Sequence, residues 1–457
     1  MQPLTYSLPV GDLNRRDVVR RWLVLGLLSL VAAGVFSILL VLARTPLIES
    51  VIPFVDFFHV ALVVHVNLSV LVWLLAISAV FWALASDGEQ RRWDRFSFHV
   101  AALGTLVVVA APFAGAGLPQ MSNYVPVLDH PMFFAGLGLF MLGIVSHLIR
   151  TLRARPRIGD SLTGTDALRF GIAFSAAVVA VAILSTWFSW LGLPADMSGQ
   201  VYYEFLFWGG GHVIQFAYTL LMMVAWVVLA EASGCRIELT PRLTLVFLLF
   251  LCLPIITVPF LFLAHDIVSA GHRLAFTELM KYGGLSCLPI GLAVIASLWR
   301  APASAGEGRY LRAALHSSIL LFAAGGVLGF LIAGLDIVIP AHYHGATVGV
   351  TVAFMGFCYY LLPRLGFAKP AARAAYWQPY LYGGGQLLHI AGLAWTGGYG
   401  VQRKTAGAAQ AVDKLGEVAG MALMGLGGLV SVIGGVVFLL ICYGAIRRGD
   451  EVVQEES

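Results

Sequence analysis

His342 and His344 stand two residues apart in AHYHGA, residues 341–346, at the mouth of a long apolar run. Imidazole is both a neutral metal ligand and a proton carrier, so the spacing has chemical consequences. On a strand the two rings would share a face and could grip one metal. On a helix, two residues turn the chain by about 200°, so the rings point to nearly opposite sides and need separate partners. A helical reading therefore demands two partners, and the rest of the chain must supply them.

The chain holds 12 histidines. His99, His130, His147 and His316 stand alone and read as hydrogen-bonded interfacial residues. His59 precedes His65 by six residues, about 240° around a helix, and cannot share its partner. His389, mid-span with Gln386, reads as structural. That leaves His65, His212, His265 with its neighbour Asp266, His342 and His344.

The elements that position them follow from composition. Of 457 residues, 59% are hydrophobic and 11% charged, with a mean hydropathy of +0.87. This is an integral membrane protein, and long apolar segments containing Gly and Pro predict helices rather than a β-barrel. Twelve spans are expected, near 21–43, 57–85, 97–117, 131–152, 168–193, 206–231, 243–264, 274–299, 314–338, 341–363, 376–397 and 417–446. The fold class is an all-α membrane bundle forming a single domain over 1–457, with short tails. DVVRRWLVLGLLSLVAAG near the N-terminus is too long, and lacks a cleavage site, for a signal peptide; it reads as the first span. All but six of the 28 Lys and Arg fall on one side of the alternating loops. That asymmetry predicts cytoplasmic termini in a bacterial-type inner membrane and explains the +4 charge without any nucleic-acid partner. The five cysteines form no CxxC, so neither a disulfide framework nor covalent haem attachment is indicated.

With these spans, His65, His212, His265, Asp266, His342 and His344 all fall in the outer halves of spans two, six, seven and ten. Ionisable groups at membrane depth are costly and usually functional. In LAHDIVSAGHR, residues 263–273, His265 and Asp266 end span seven after the prolines of LPIITVPF, which loosen that helix. His212, in WGGGHVIQF, follows three glycines that let a bulky group approach the backbone. Two His and one carboxylate make a plausible divalent-metal site from His212, His265 and Asp266. An Asp–His hydrogen bond at the interface is the plainer reading of the pair, and His272, two turns beyond His265, is a competing ligand. His344 can pair with His65 on a six-coordinate, low-spin haem. His342 can hold a five-coordinate, high-spin haem facing the metal.

This constellation resembles the catalytic subunit of the haem-copper oxidase superfamily: one His on helix two, one on six, a pair ending seven, and HxH on ten. HVNLSVLVWLL, residues 65–75, looks like helix two of the nitric oxide reductase branch. GYGVQRKTAG, residues 398–407, resembles the loop whose basic residues hold haem propionates, here Arg403 and Lys404. The resemblance implies two non-covalent haems, b-type, and one non-haem metal, copper or iron. Three positions depart from the pattern. Asp266 stands where a second adjacent His is usual. The cross-linked Tyr of oxygen reductases would fall at Phe216 or Pro259, and Tyr218 and Tyr282 match neither position. Phe216 also stands where iron-containing nitric oxide reductases carry Glu. Without that Tyr, the branch implied is nitric oxide reduction, in which two NO, two electrons and two protons give nitrous oxide and water. The alternatives are a terminal oxygen reductase, or a haem-binding sensor or transporter without turnover. Electrons would come from a cytochrome c or cupredoxin-like subunit or from quinol, with membrane lipid the other partner and the site toward the periplasmic side. Glu204, Asp336, and Glu278 with Lys281 are candidates for a proton path, the last two equally for a structural pair.

Overall fold

The computed structural model describes residues 5–43, 57–88, 90–115, 117–154, 156, 161–332, 338–397 and 415–455. Among them, eleven helices are long and apolar enough to cross a membrane. In chain order the helices are α1 (Leu13–Ala43), α2 (Phe57–Ala85), α3 (Arg91–Ala114), α4 (Pro131–Arg153), α5 (Gly164–Gly192) and α6 (Gly199–Ala232). They continue with α7 (Pro241–Ala264), α8 (Ala270–Arg300), α9 (Glu307–Phe330), α10 (Val338–Arg364), α11 (Ala372–Gly397) and α12 (Leu415–Glu455). Helix α11 occupies the eleventh expected span but is not one of the eleven, because its YWQPYLYGGGQ segment dilutes the apolar run. A two-stranded antiparallel hairpin, β1 (Leu118–Gln120) and β2 (Val127–Asp129), lies between α3 and α4.

Local chemistry sets the helix ends. Helix α1 starts well before its apolar run because the Asp12 carboxylate accepts the Arg15 N–H at 2.8 Å. Thr163 and Asp166 form a reciprocal capping box at α5. Thr240 accepts the Leu243 N–H ahead of Pro241 at α7, and Ser269 accepts the His272 N–H at α8. Helix α7 tightens to a 3-10 turn over Leu253–Thr257, the loosening expected from its prolines. Helix α2 contains a π segment, Asn67–Val72, which begins two residues after His65.

The chain forms two compact units. The first comprises Thr5–Val224 and Leu239–Ala293; its interior is built on fully buried Trp22, Trp73, Trp82, Phe133, Phe140 and Phe276. His147 belongs to this interior rather than to an interface: it is 0% exposed, 5.2 Å from the Trp22 ring, and its Nε2 donates to the Ala79 carbonyl at 3.1 Å. Beside it Asp94 and Arg150 form a buried ion pair at 2.9 Å, of the kind whose loss of one partner is far costlier than its net worth.

The second unit comprises the described residues of Ala225–Glu238 and of the chain from Val294 onward. Leu321, Ala341, Val352, Ile390 and Leu393 form its apolar cluster. Helices α9 and α10 touch backbone to backbone at Gly325 and Gly345: a methyl group on Gly325 would stand 2.3 Å from the Ala346 nitrogen. Lipid offers no hydrophobic drive for helix association, so such close packing has to supply it.

The helices differ in how far they are enclosed. The most apolar stretch of α6 is 89% buried and that of α10 83%, against 22% for α7. The helices carrying His212, His342 and His344 are therefore well enclosed by protein along those stretches, and the one ending at Ala264, just before His265, is largely exposed.

Candidate functional site

Three of the predicted ligands share one local geometry. His65 Nδ1 donates to the Ala33 carbonyl on α1 at 2.9 Å. His212 Nδ1 donates to the Trp208 carbonyl at 2.7 Å, and His342 Nδ1 to the Gly325 carbonyl on α9 at 2.7 Å. A carbonyl can only accept, so Nδ1 carries the proton in each ring and Nε2 keeps its lone pair. This is the arrangement of a metal-ligating histidine, oriented by a backbone carbonyl and offering Nε2. The chemistry of the donor set fits haem iron or a non-haem transition metal.

The three glycines before His212 do admit bulky groups, and those groups are protein. A methyl group at Gly209 would stand 3.1 Å from the Phe262 ring and 3.2 Å from that of Phe276. At Gly210 it would meet the Thr186 hydroxyl at 2.2 Å, and at Gly211 the Tyr124 ring at 2.1 Å. Tyr124 comes from the β1–β2 hairpin. Its hydroxyl is 2.9 Å from His212 Nδ1 and 3.0 Å from Nε2. The hairpin is pinned from two sides: the Glu204 carboxylate accepts the Asn123 N–H at 2.9 Å and the Asn123 side-chain amide, and Asn67 donates to the Pro126 carbonyl at 2.7 Å. Burial, and then the Glu204 charge, push the Tyr124 phenol well above a tyrosine's ordinary pKa; a hydrogen bond with Gln215 offsets part of this. Sequence reasoning missed Tyr124, since no spacing rule ties a hairpin residue to a helix 88 positions later.

At the α7–α8 corner, His265 follows the last helical residue with φ −140° and ψ 132°. Asp266 is exposed, and its backbone carbonyl accepts the Ser269 N–H at 2.9 Å and the Ser269 hydroxyl at 2.7 Å. His272, in the first turn of α8, is fully buried, and neither ring nitrogen has a hydrogen-bond partner. Its ring lies 4.8 Å from Phe276 and 5.2 Å from Phe262; His212 lies 6.1 Å from Phe276. The His265 ring rests against Gly271, where a methyl group would be 2.8 Å from Nδ1. His272 thus lies against both phenylalanines and His212 against one of them, with His265 beside Gly271, while Asp266 is exposed. Among the described residues, no three His, Cys, Asp or Glu side chains are grouped closely enough to hold one metal ion.

In the second unit the HxH motif lies on helix, as the opening geometry requires. His342 packs on α9, where a methyl group at Gly329 would stand 2.7 Å from its Nδ1. His344 faces α11, its ring 5.0 Å from that of His389, whose Nδ1 donates to the Met424 carbonyl at 2.9 Å. His389, read from sequence as structural, is therefore a neighbour of a predicted haem ligand. His65, His212, His265 and Asp266 belong to the first unit, His342 and His344 to the second.

Phe216 is 2% exposed, and Gly283 of α8 packs on its ring tip. Of the predicted proton-path residues, Glu204 holds the hairpin. Glu278 and Lys281 are half-buried on α8, with the Lys281 ammonium 5.9 Å from the centre of the Tyr282 ring. Asp336, Arg403 and Lys404 lie outside the described residues.

Comparison with known proteins agrees with this architecture. Residues 17–437 match the family model "Cytochrome C and Quinol oxidase polypeptide I". The chain is 29% identical to the uncharacterized protein RP382 of Rickettsia prowazekii, over 94% of this chain and 96% of that one. It is 26% identical to cytochrome c oxidase subunit 1 of Thermus thermophilus, over 84% and 76% of the two chains. Its fold is similar to that of a haem-copper terminal oxidase dimer solved by electron cryomicroscopy, with a TM-score of 0.71 at 16% identity, covering 95% of this chain and 84% of that chain. The chain belongs to the cytochrome c and quinol oxidase polypeptide I family and is a membrane oxidoreductase of the haem-copper type.

Proposed function

We propose that this oxidoreductase reduces nitric oxide to nitrous oxide. The observation carrying the reading is Phe216: a buried phenyl ring stands where the superfamily's oxygen reductases carry a redox tyrosine, and Pro259 fills the other such position. Coupling two NO molecules needs two electrons, so it can proceed without a tyrosine supplying another. The residue assignments extend the sequence reading: His65 and His344 for a low-spin haem, His342 for a high-spin haem, Arg403 and Lys404 for propionates, and His212 with His265 for a non-haem metal. The third ligand of that metal comes from the α7–α8 corner. Asp266 is the sequence candidate; the buried, partnerless ring nitrogens of His272 favour His272.

When bound, the haems and the non-haem metal supply gas binding and electron transfer. The chain's own part is orientation and exclusion of water. The Ala33, Trp208 and Gly325 carbonyls fix three imidazole planes. Phe262 and Phe276 wall the His212 side with apolar rings, so that N–N bond formation becomes a matter of proximity. In this reading the termini are cytoplasmic, the site lies toward the outer side, and a donor protein or quinol delivers electrons.

Tyr124 favours a second reading, oxygen reduction, because a phenol does stand within hydrogen-bond reach of His212. One experiment separates the two: amperometry with NO and with oxygen on the same reduced preparation, for wild type and Tyr124→Phe. NO consumption that exceeds oxygen uptake and survives the substitution supports the first reading. Oxygen uptake that dominates and collapses in Tyr124→Phe establishes the second.

A further inference from the structure

Away from the predicted ligand histidines, at the other end of α2 and about 27 Å from His65 by helix rise, the first unit has a cavity of about 300 Å³. It opens where α1 and α3 begin and α4 ends. Arg15, Arg21, Arg91, Arg95 and Arg150 line it, against three carboxylates, an excess of two positive charges. The carboxylates are already engaged. Asp12 accepts the Arg15 backbone N–H at 2.8 Å, Asp17 accepts Arg21 Nε at 2.9 Å, and Asp94 lies 2.9 Å from Arg150 Nε. Arg91 donates to the Asn14 side-chain oxygen.

Uncompensated cation is left over. Arg95 is exposed and has no ion pair among the described residues. Arg150 is only 6% exposed, and its Nη1 is buried without a hydrogen-bond acceptor. A buried guanidinium N–H without an acceptor is costly, and an arriving anion relieves it. The N-termini of two spanning helices face the same space, each adding a partial positive charge and free N–H groups.

We infer that this cavity binds a phosphate-bearing anion. The surroundings favour an anionic phospholipid as its source. The cavity sits where two spanning helices emerge, at headgroup level. On a face of α3 turned away from the cavity-lining Arg91, Asp94, Arg95 and Phe98, the residues Phe96, Leu103 and Leu106 are exposed at 52%, 51% and 66%, so the helix that carries the cavity also presents apolar surface. The two excess charges match a lipid carrying two phosphodiesters.

The test uses the full-length protein, delipidated gently and reconstituted in nanodiscs of phosphatidylcholine with a minor share of cardiolipin or phosphatidylglycerol. Retained lipid is read by native mass spectrometry. Wild type retains the anionic lipid, and Arg91→Gln/Arg95→Gln lowers its retention on the order of thirtyfold, from the attraction each surface arginine contributes. Arg373→Gln, an exposed arginine elsewhere, leaves retention unchanged. A parallel arm titrates inorganic phosphate and pyrophosphate in neutral lipid. Saturable binding there, lost in the double variant while lipid retention is the same in both proteins, keeps the phosphate site and reassigns its source to a soluble ligand. Equal retention in wild type and the double variant with no phosphate binding overturns the proposal, as does an equal loss in Arg373→Gln.

Discussion

Tyr124, on a hairpin between two spanning helices, places its hydroxyl 3.0 Å from Nε2 of His212, the nitrogen that a metal would take. The hydroxyl is 2.9 Å from Nδ1 as well, but with the Nδ1 proton directed to the Trp208 carbonyl the only lone pair in the ring that the phenol O–H can meet is that of Nε2. A metal and the phenol proton therefore compete for one lone pair. Tyr124→Phe should strengthen non-haem metal binding by apo-protein about fivefold, the worth of one ordinary hydrogen bond. Titration of metal-free protein with Cu²⁺ or Fe²⁺ checks this; weaker binding would mean that Tyr124 supports the site rather than masking it.

Gly211 is the position that lets Tyr124 lie flat on α6. Gly211→Ala puts a methyl group 2.1 Å from the ring, an overpacking worth about 1–3 kcal/mol. The expected result is a lower unfolding temperature together with the metal-binding change of Tyr124→Phe. Gly384→Ala, where a methyl group meets nothing within 4 Å, should be neutral or slightly stabilising.

At the α7–α8 corner, burial ranks the ligands. His272→Ala should cost most of the non-haem metal, measured by elemental analysis against haem content, and Asp266→Ala should cost less. The reverse order would restore the aspartate reading of the sequence.

Haem spectra test the HxH assignment. His65→Ala and His344→Ala should each abolish the low-spin absorption bands and spare the high-spin ones. His389→Ala should keep the low-spin haem but shift its reduction potential and EPR g-values, since His389 touches His344 and is a positioning residue.

The Tyr124 phenol, held above its ordinary pKa, gives a pH signature. In the unfolded chain it ionises near pH 10, whereas in the fold it stays protonated. Its contribution to stability is therefore present below about pH 10 and lost as pH rises through that value. Wild type and Tyr124→Phe should show the same tyrosinate absorbance near pH 10 while folded, and wild type should lose stability faster above it.

Much of this was legible in the chain. Apolar runs predicted where each helix lies, because membrane depth dictates helix length, but ends of α1, α3, α6, α9 and α12 differ by several residues. Where α1 and the runs differ, a cap explains it: Asp12 extends the helix beyond its apolar stretch. The divergence of His342 and His344 followed from helical geometry alone. Tyr124 was not legible, because contacts made by a loop depend on where the hairpin folds back. The burial of His272 was equally hidden, since it depends on the Ser269 cap that turns α8 against Phe262.

The π segment Asn67–Val72 separates two parts of α2 that face different tasks. After it, every residue of Trp73–Ala85 is buried; before it stands His65. A π turn holds one residue more than an α turn, so the segment works as a spacer that sets angle rather than length. Deleting one residue there would restore α-geometry, leave the wholly buried half in register, and swing the ligand by about 100°. In this helix, a one-residue indel is a rotation of the imidazole.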